Sequence, residues 1–260
     1  MDKNKETLKT TFAEAVHKYQ KKDFKTAEIY CYKILSINPH HFDSLSLLAT
    51  ISAINNNFEK AKELILKAIE IQPKNLKALN NLGTAYKKLG NIKEAIDSYK
   101  KVLIIEPNHT NANFNLGISF YELGELKKAK NYLKKTVEIQ NNYAAAYYSL
   151  ANVHYDLKET SDAISCYQKA IEINPNLVSA HNNLGLLFRD LNDFENAIDS
   201  YQKAIKVNPS HVSSQHNLAL AYKEVGKFKE AITYHQLAIK LEPENLMHDF
   251  YLCDLKKDLL

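Results

Sequence analysis

The sequence predicts an all-α fold: a right-handed α-solenoid of seven 34-residue helix-turn-helix units followed by a terminal helix. Three observations predict it. All six prolines, Pro39, Pro73, Pro107, Pro175, Pro209 and Pro243, share one register of 34 residues, with a single gap of 68 whose midpoint is Asn141. Alanine recurs in that register at Ala27, Ala61, Ala95, Ala129, Ala163, Ala197 and Ala231. Between these marks the apolar residues follow helical spacing, as in Leu79, Leu82, Tyr86 and Leu89, then Ile92, Ala95, Ile96, Tyr99, Val102 and Leu103. A fixed period of this length marks a stack of repeats, in which each pair of helices buries its apolar stripe on its neighbours.

Placing each proline at position 32 gives the units 8–41, 42–75, 76–109, 110–143, 144–177, 178–211 and 212–245, all within one domain spanning 1–260. Helix A is expected over about positions 2–14 and helix B over about 16–30. Position 15 separates them and calls for a left-handed residue. Gly90, Gly124 and Gly226 supply it cheaply, Asn56 and Asn192 substitute, and Lys22 and Lys158 fit less well. Proline at position 32 stops helix B and extends the residue before it. Small residues at positions 8 (Gly83, Gly117, Gly185) and 20 let helices approach closely. Position 7 is Leu in six units, and Glu14 in the first marks that unit as a cap. Segment 246–260, with Leu246, Phe250 and Cys253 at helical spacing, is expected to cover the last unit as a C-terminal helix. Its end has little polar outer face, so the natural chain is expected to continue beyond it.

Bulk composition excludes several classes. With 45% hydrophobic and 25% charged residues the chain reads as folded and soluble, and no apolar run suffices to span a bilayer or serve as a signal peptide. The expected location is cytoplasmic, without membrane insertion. Net charge is +4, and of 34 basic residues only Arg189 is an arginine, which argues against nucleic-acid recognition. Cys31, Cys166 and Cys253 match no CxxC spacing and read as reduced thiols. Every glycine is consumed at a helix end or contact, leaving no phosphate loop, and no HExxH, GxSxG or Cys/His metal spacing occurs. His40-His41 reads as a solvated loop pair. No catalytic residue, metal site or cofactor is expected.

The pattern Leu79-x2-Leu82-Gly83-x2-Tyr86…Ala95-x3-Tyr99…Pro107 resembles the tetratricopeptide repeat (TPR) and covers residues 8–245. The chain departs from the family at position 4, where the frequent Trp is replaced by Leu79, Asn113, Tyr147 and His181 among others. The fourth unit has Asn141 for Pro and Thr136 at a usually small position, and the fifth has Thr160 where others carry Phe, Ile or Leu. The junction of the fourth and fifth units is therefore the expected soft point.

On each helix A, positions 3, 7, 8 and 11 form the packed stripe, and positions 2, 5, 6, 9, 12 and 13 form a polar stripe expected to face open space. The resemblance implies that the polar stripe lines a concave surface holding partner segments. Position 6 is Asn81, Asn115, Asn183 and Asn217 in four units. One carboxamide per repeat offers a donor and an acceptor to an extended peptide backbone, about 1 kcal/mol for each bond. This ladder resembles the asparagine-lined superhelix of O-linked N-acetylglucosaminyltransferases. Asn80, Asn182 and His216 at position 5, with Tyr121, Tyr155, Arg189, Lys87 and Lys223 at position 12, are expected to tune preference, and Phe114 and Tyr148 to supply aromatic anchors. The carboxylate clamp of chaperone-binding TPR proteins is not met by any three successive units, and the 34-residue period excludes pentatricopeptide-type RNA reading.

The expected function is thus a scaffold or adaptor that binds extended peptide segments of protein partners in an asparagine-lined groove. The alternative is the substrate-recognition arm of a glycosyl-, sulfo- or methyltransferase whose catalytic domain lies beyond residue 260 or on another chain. Partner identity and oligomeric state stay open.

Overall fold

The computed structural model describes residues 2–244, with the side chains of 6–244. The expected terminal helix over 246–260, with Cys253, lies outside the described residues. Among the described residues every regular element is a helix, and the chain divides into two compact units. The first, Met1–Glu125, holds α1 (Asp2–Gln20), α2 (Phe24–Ile37), α3 (Phe42–Ile54), α4 (Phe58–Ile71), α5 (Leu76–Lys88), α6 (Ile92–Ile105) and α7 (Thr110–Glu122). The second, beginning at Leu126, holds α8 (Leu126–Ile139), α9 (Ala144–Asp156), α10 (Thr160–Ile173), α11 (Val178–Asp190), α12 (Phe194–Val207), α13 (Val212–Glu224) and α14 (Phe228–Leu241).

From the second repeat on, helix A occupies positions 1–13 and helix B 17–30, close to the sequence frame. All seven residues at position 15 are left-handed: Gly90 (φ 81°), Gly124 (73°), Gly226 (73°), Asn56 (58°), Asn192 (59°), and also Lys22 (61°) and Lys158 (62°). The two lysines fit less well in sequence, yet the turn imposes the same geometry on them, because the backbone N–H of position 16 must close on a carbonyl of helix A, as Glu159 N does on His154 O at 2.9 Å.

Within each unit every helix packs on its neighbours in sequence, and in addition one helix A touches the next, α5 on α7 and α11 on α13. This is the quasi-one-dimensional contact pattern of stacked hairpins. The alanine column explains the closeness: Ala27, Ala61, Ala95, Ala129, Ala163, Ala197 and Ala231 are all wholly buried. Leu48, Leu82, Leu116, Leu150, Leu184 and Leu218 at position 7 are buried too, whereas Glu14 in the same column is exposed. In the third and sixth repeats position 8 must be small because the tyrosine ring at position 24 lies against it. A Cβ added to Gly83 would sit 2.5 Å from Cε1 of Tyr99, and one on Gly185 would sit 2.6 Å from Cε1 of Tyr201. Position 10 belongs to the packed stripe as well, with Ile51, Ala85, Val153, Leu187 and Ala221 all buried, while Tyr86 at position 11 is only half-buried.

The division of the chain falls between α7 and α8, inside the fourth repeat. The junction of the fourth and fifth repeats lies within the second unit, where α8 packs on α9. Thr136 there is fully buried, its hydroxyl donating to the carbonyl of Tyr132 at 2.8 Å, so a β-branched alcohol fills the small-residue position without an orphaned group.

Candidate binding surface on the leading helices

The polar stripe survives stacking. Asn81 and Asn115 in the first unit, and Asn183 and Asn217 in the second, are all half-buried on their helix A, and none points into the core. Their neighbours behave differently from one another. Asn115 Nδ2 donates to Asn80 Oδ1 (3.3 Å), Asn217 Nδ2 donates to Asn182 Oδ1 (3.1 Å), and Asn183 Nδ2 donates to the hydroxyl of Tyr148 (3.2 Å) and to Asn152 Oδ1 (3.1 Å). In each case position 6 of one repeat reaches position 5 of the repeat before it, 35 residues back. Successive A helices lie side by side, so a step of one repeat plus one residue brings these two side chains level. The carboxamides therefore tie the stack together, Asn115 and Asn217 through one bond each and Asn183 through two.

Asn182 departs from its expected role. It is 6% exposed, its Oδ1 accepts from both Asn217 and the Ser214 hydroxyl (3.0 Å), and its Nδ2 donates to Asn183 Oδ1 (3.2 Å). It is an inter-repeat rivet whose oxygen is filled and whose remaining N–H is buried away from a partner. Asn80 and Tyr148 remain half-exposed, and Tyr148 also packs on Tyr167 with ring centroids 6.2 Å apart.

The same offset recurs at the other end of the helices. Lys87 Nζ pairs with Glu122 at 2.9 Å, and the Tyr155 hydroxyl donates to Asp190, linking position 12 to position 13 of the next repeat. The bond to Asp190, with burial behind it, pushes the Tyr155 phenol up to about 12. Arg189 lies 3.6 Å from Asp190. Tyr121 and Lys223 are half-buried at the same level of their own helices.

Two columns carry polar work that the sequence reading missed. Position 4 replaces the family's Trp with polar side chains that reach back to the preceding proline: Asn113 Nδ2 donates to Pro107 O (3.2 Å), Gln215 Nε2 to Pro209 O (2.9 Å), and His181 Nε2 lies 2.9 Å from Pro175 O. All three are buried, and the proline carbonyl meets one polar end of each, while Asn113 Oδ1 and Gln215 Oε1 stay buried without a partner. The last residue of a unit caps the next helix A. His41, His109 and His211 each accept a backbone N–H through Nδ1 (from Ser44, Ala112 and Ser214), and Asn75 does so through Oδ1. His41 is thus a half-buried N-cap and not a solvated loop residue.

A charged cluster also assembles in the second unit. His154, Glu159 and Asp162 bring one ligand atom each within 4.8 Å, from the end of α9 and the start of α10, a grouping that linear spacing did not signal. Lys130 on α8 already holds Glu159 Oε1 at 2.6 Å, and His154 Nδ1 lies 2.5 Å from Oε2. Lys130 first, then His154, hold the Glu159 carboxyl below the usual carboxylate range. Both oxygens being taken, the cluster serves as an ion-pair network joining three helices. The thiols of Cys31 and Cys166 are pushed up to about 11 by burial, which leaves them poor nucleophiles at neutral pH. No described helix is long and apolar enough to cross a membrane.

Tetratricopeptide-repeat family profiles match residues 76–109, 144–177 and 178–211, then 42–75 and 110–143, and finally 200–233. The first five coincide with units predicted from the prolines. No curated protein matches the chain in sequence. Among solved structures the chain is similar to MamA (30% identity, TM-score 0.60), covering 64% of this chain and 97% of that one. It is similar to YrrB, described as a TPR protein with an unusual peptide-binding site (19% identity, TM-score 0.61, 73% and 98% covered). PilF of Pseudomonas aeruginosa shares the fold at 19% identity and TM-score 0.71, with 82% and 96% covered.

Proposed function

Because the chain belongs to the tetratricopeptide-repeat family, we propose that it is a protein-interaction scaffold holding extended segments of partner proteins against its leading helices. One observation carries this reading: the polar stripe stays half-exposed after stacking, with its carboxamides already fixed in place. Asn115 and Asn217 each spend a single N–H on the stack, so the second N–H and the carbonyl oxygen remain for the C=O and N–H of a passing backbone. The inter-repeat bonds pre-orient these groups and lower the entropy lost on binding. The peptide-binding site of YrrB is a precedent on the same fold.

The test is panning of a random dodecapeptide library against the folded chain, followed by titration of enriched peptides. Substituting Asn115→Asp, which removes donors and adds charge, should weaken binding about tenfold. Ile104→Glu, at a residue 81% exposed on a helix B, should leave it unchanged. A folded chain that enriches nothing, or peptides displaced by the second change and not the first, would refute the groove.

A further inference from the structure

Asn81 is the one member of the ladder whose inter-repeat bond is missing. Position 5 of the repeat before it is Ser46, the counterpart of Asn80, Tyr148 and Asn182, yet among the described residues the Asn81 carboxamide makes no hydrogen bond. The Ser46 hydroxyl opposite it is buried and also has no partner. Leaving such a group unsatisfied in a stack that pairs the equivalent groups elsewhere is costly unless something else meets it.

Open space adjoins Asn81. A cavity of about 310 Å³ among α3, α4 and α5 is walled by Ala49, Ala53, Phe58, Ile65 and Ala85, with Asn81 on its rim. No charged residue lines it. A second cavity of about 180 Å³ continues from it past Ser46, sharing Asn81, and carries Asp43 and Lys77. The small size of Ala49, Ala53 and Ala85 creates the first cavity, and the uncharged wall selects against an ionised occupant.

We propose that this cavity is the anchor subsite of the scaffold, taking one aliphatic side chain of leucine or isoleucine size from an extended partner segment while Asn81 bonds the partner's backbone beside it. This rests on the groove reading above. The occupant follows from the apolar, uncharged wall, which suits a branched aliphatic side chain, and from the unbonded carboxamide at its mouth, which suits a main-chain amide. Ser46 lies where the adjoining backbone passes into the second cavity. Asn183 is taken up by the stack, Asn115 and Asn217 divide their groups between stack and partner, and Asn81 keeps its whole carboxamide for the partner.

The experiment uses the full chain and a random dodecapeptide phage library. Enriched sequences should share one Leu, Ile, Val or Met position, and replacing it by Ala should weaken binding at least tenfold. Ala53→Phe fills the cavity from a half-exposed position and should abolish that preference. Thr50→Glu, placing a charge in the same cleft, serves as the second variant, each checked for an intact helical signal. Asn81→Ala should cost about fivefold in affinity, one neutral hydrogen bond. Enrichment without a shared aliphatic position, or binding indifferent to both Ala53→Phe and Thr50→Glu, overturns the anchor and leaves the groove standing. A library that enriches nothing overturns both.

Discussion

Three repeats place a tyrosine at position 24, and they differ in what its hydroxyl meets. Tyr99 lies 3.3 Å from Thr84 Oγ1, and Tyr167 donates to Asn152 Oδ1 at 2.6 Å, both partners being at position 9 of the same repeat. In the sixth repeat position 9 is Leu186, and the hydroxyl of the fully buried Tyr201 has no partner. Burial pushes the Tyr201 phenol far up. A buried hydroxyl without a hydrogen bond costs about 1–3 kcal/mol, while the oxygen recovers only part of this through dispersion contacts. Tyr201→Phe should therefore stabilise the chain by about 1 kcal/mol. Tyr167→Phe removes a made bond and should destabilise by about 1 kcal/mol, and no more, because Asn152 Oδ1 still accepts from Asn183. Urea unfolding followed by circular dichroism at constant m-value reads both, the two variants differing by about 2 kcal/mol with opposite signs. Leu186→Asn supplies the missing acceptor, and a double-mutant cycle with Tyr201→Phe should show favourable coupling. If Tyr201→Phe proves as destabilising as Tyr167→Phe, the reasoning from position 9 fails.

Other expectations follow from single features. Lys158 holds φ at 62°, so Lys158→Gly should relieve about 0.5–1 kcal/mol of left-handed strain, measurable as a raised urea midpoint, whereas Lys158→Val should lower it. His181→Gln keeps the bond to its proline, as Gln215 does, but buries an unpaired Oε1 and should cost about 1 kcal/mol. His181→Ala should cost about 2 kcal/mol by cavity and orphaned carbonyl, again by urea unfolding. The Glu159 carboxyl is depressed in the folded state, so its contribution is present above the ordinary carboxylate range and is lost as pH falls through the lowered value. Lys130→Met should flatten that acid limb in a series of unfolding curves, with little effect on its shape near pH 7.

The fold was legible because its information sits in residues with few substitutes. A proline, a left-handed turn residue and a buried alanine each admit almost nothing else at their column, so the period shows through individual exceptions such as Asn141 and Lys22. The polar stripe was legible for the same reason, as the complement of the packed one. What the stripe does was not. The ties run from position 5 to position 6 and from position 12 to position 13, so each joins two different columns, and a column-by-column comparison cannot display them. Asn182 therefore passed for an open groove residue, and Glu122 and Asp190 were not seen as partners. Asn113, His181 and Gln215 at position 4 looked like losses of an aromatic residue because their acceptor is a main-chain carbonyl, which has no letter in the sequence.

The boundary of the two compact units falls in sequence between α7 and α8, which the repeat frame assigns to one 34-residue unit. The 34-residue motif is then a unit of spelling, and any starting point along the period describes the molecule equally well, as the profile match at 200–233, which begins inside a trailing helix, illustrates. A fragment that begins at the nominal border near Tyr143 therefore leaves α9 packed on α10 but strips it of α8, its other neighbour.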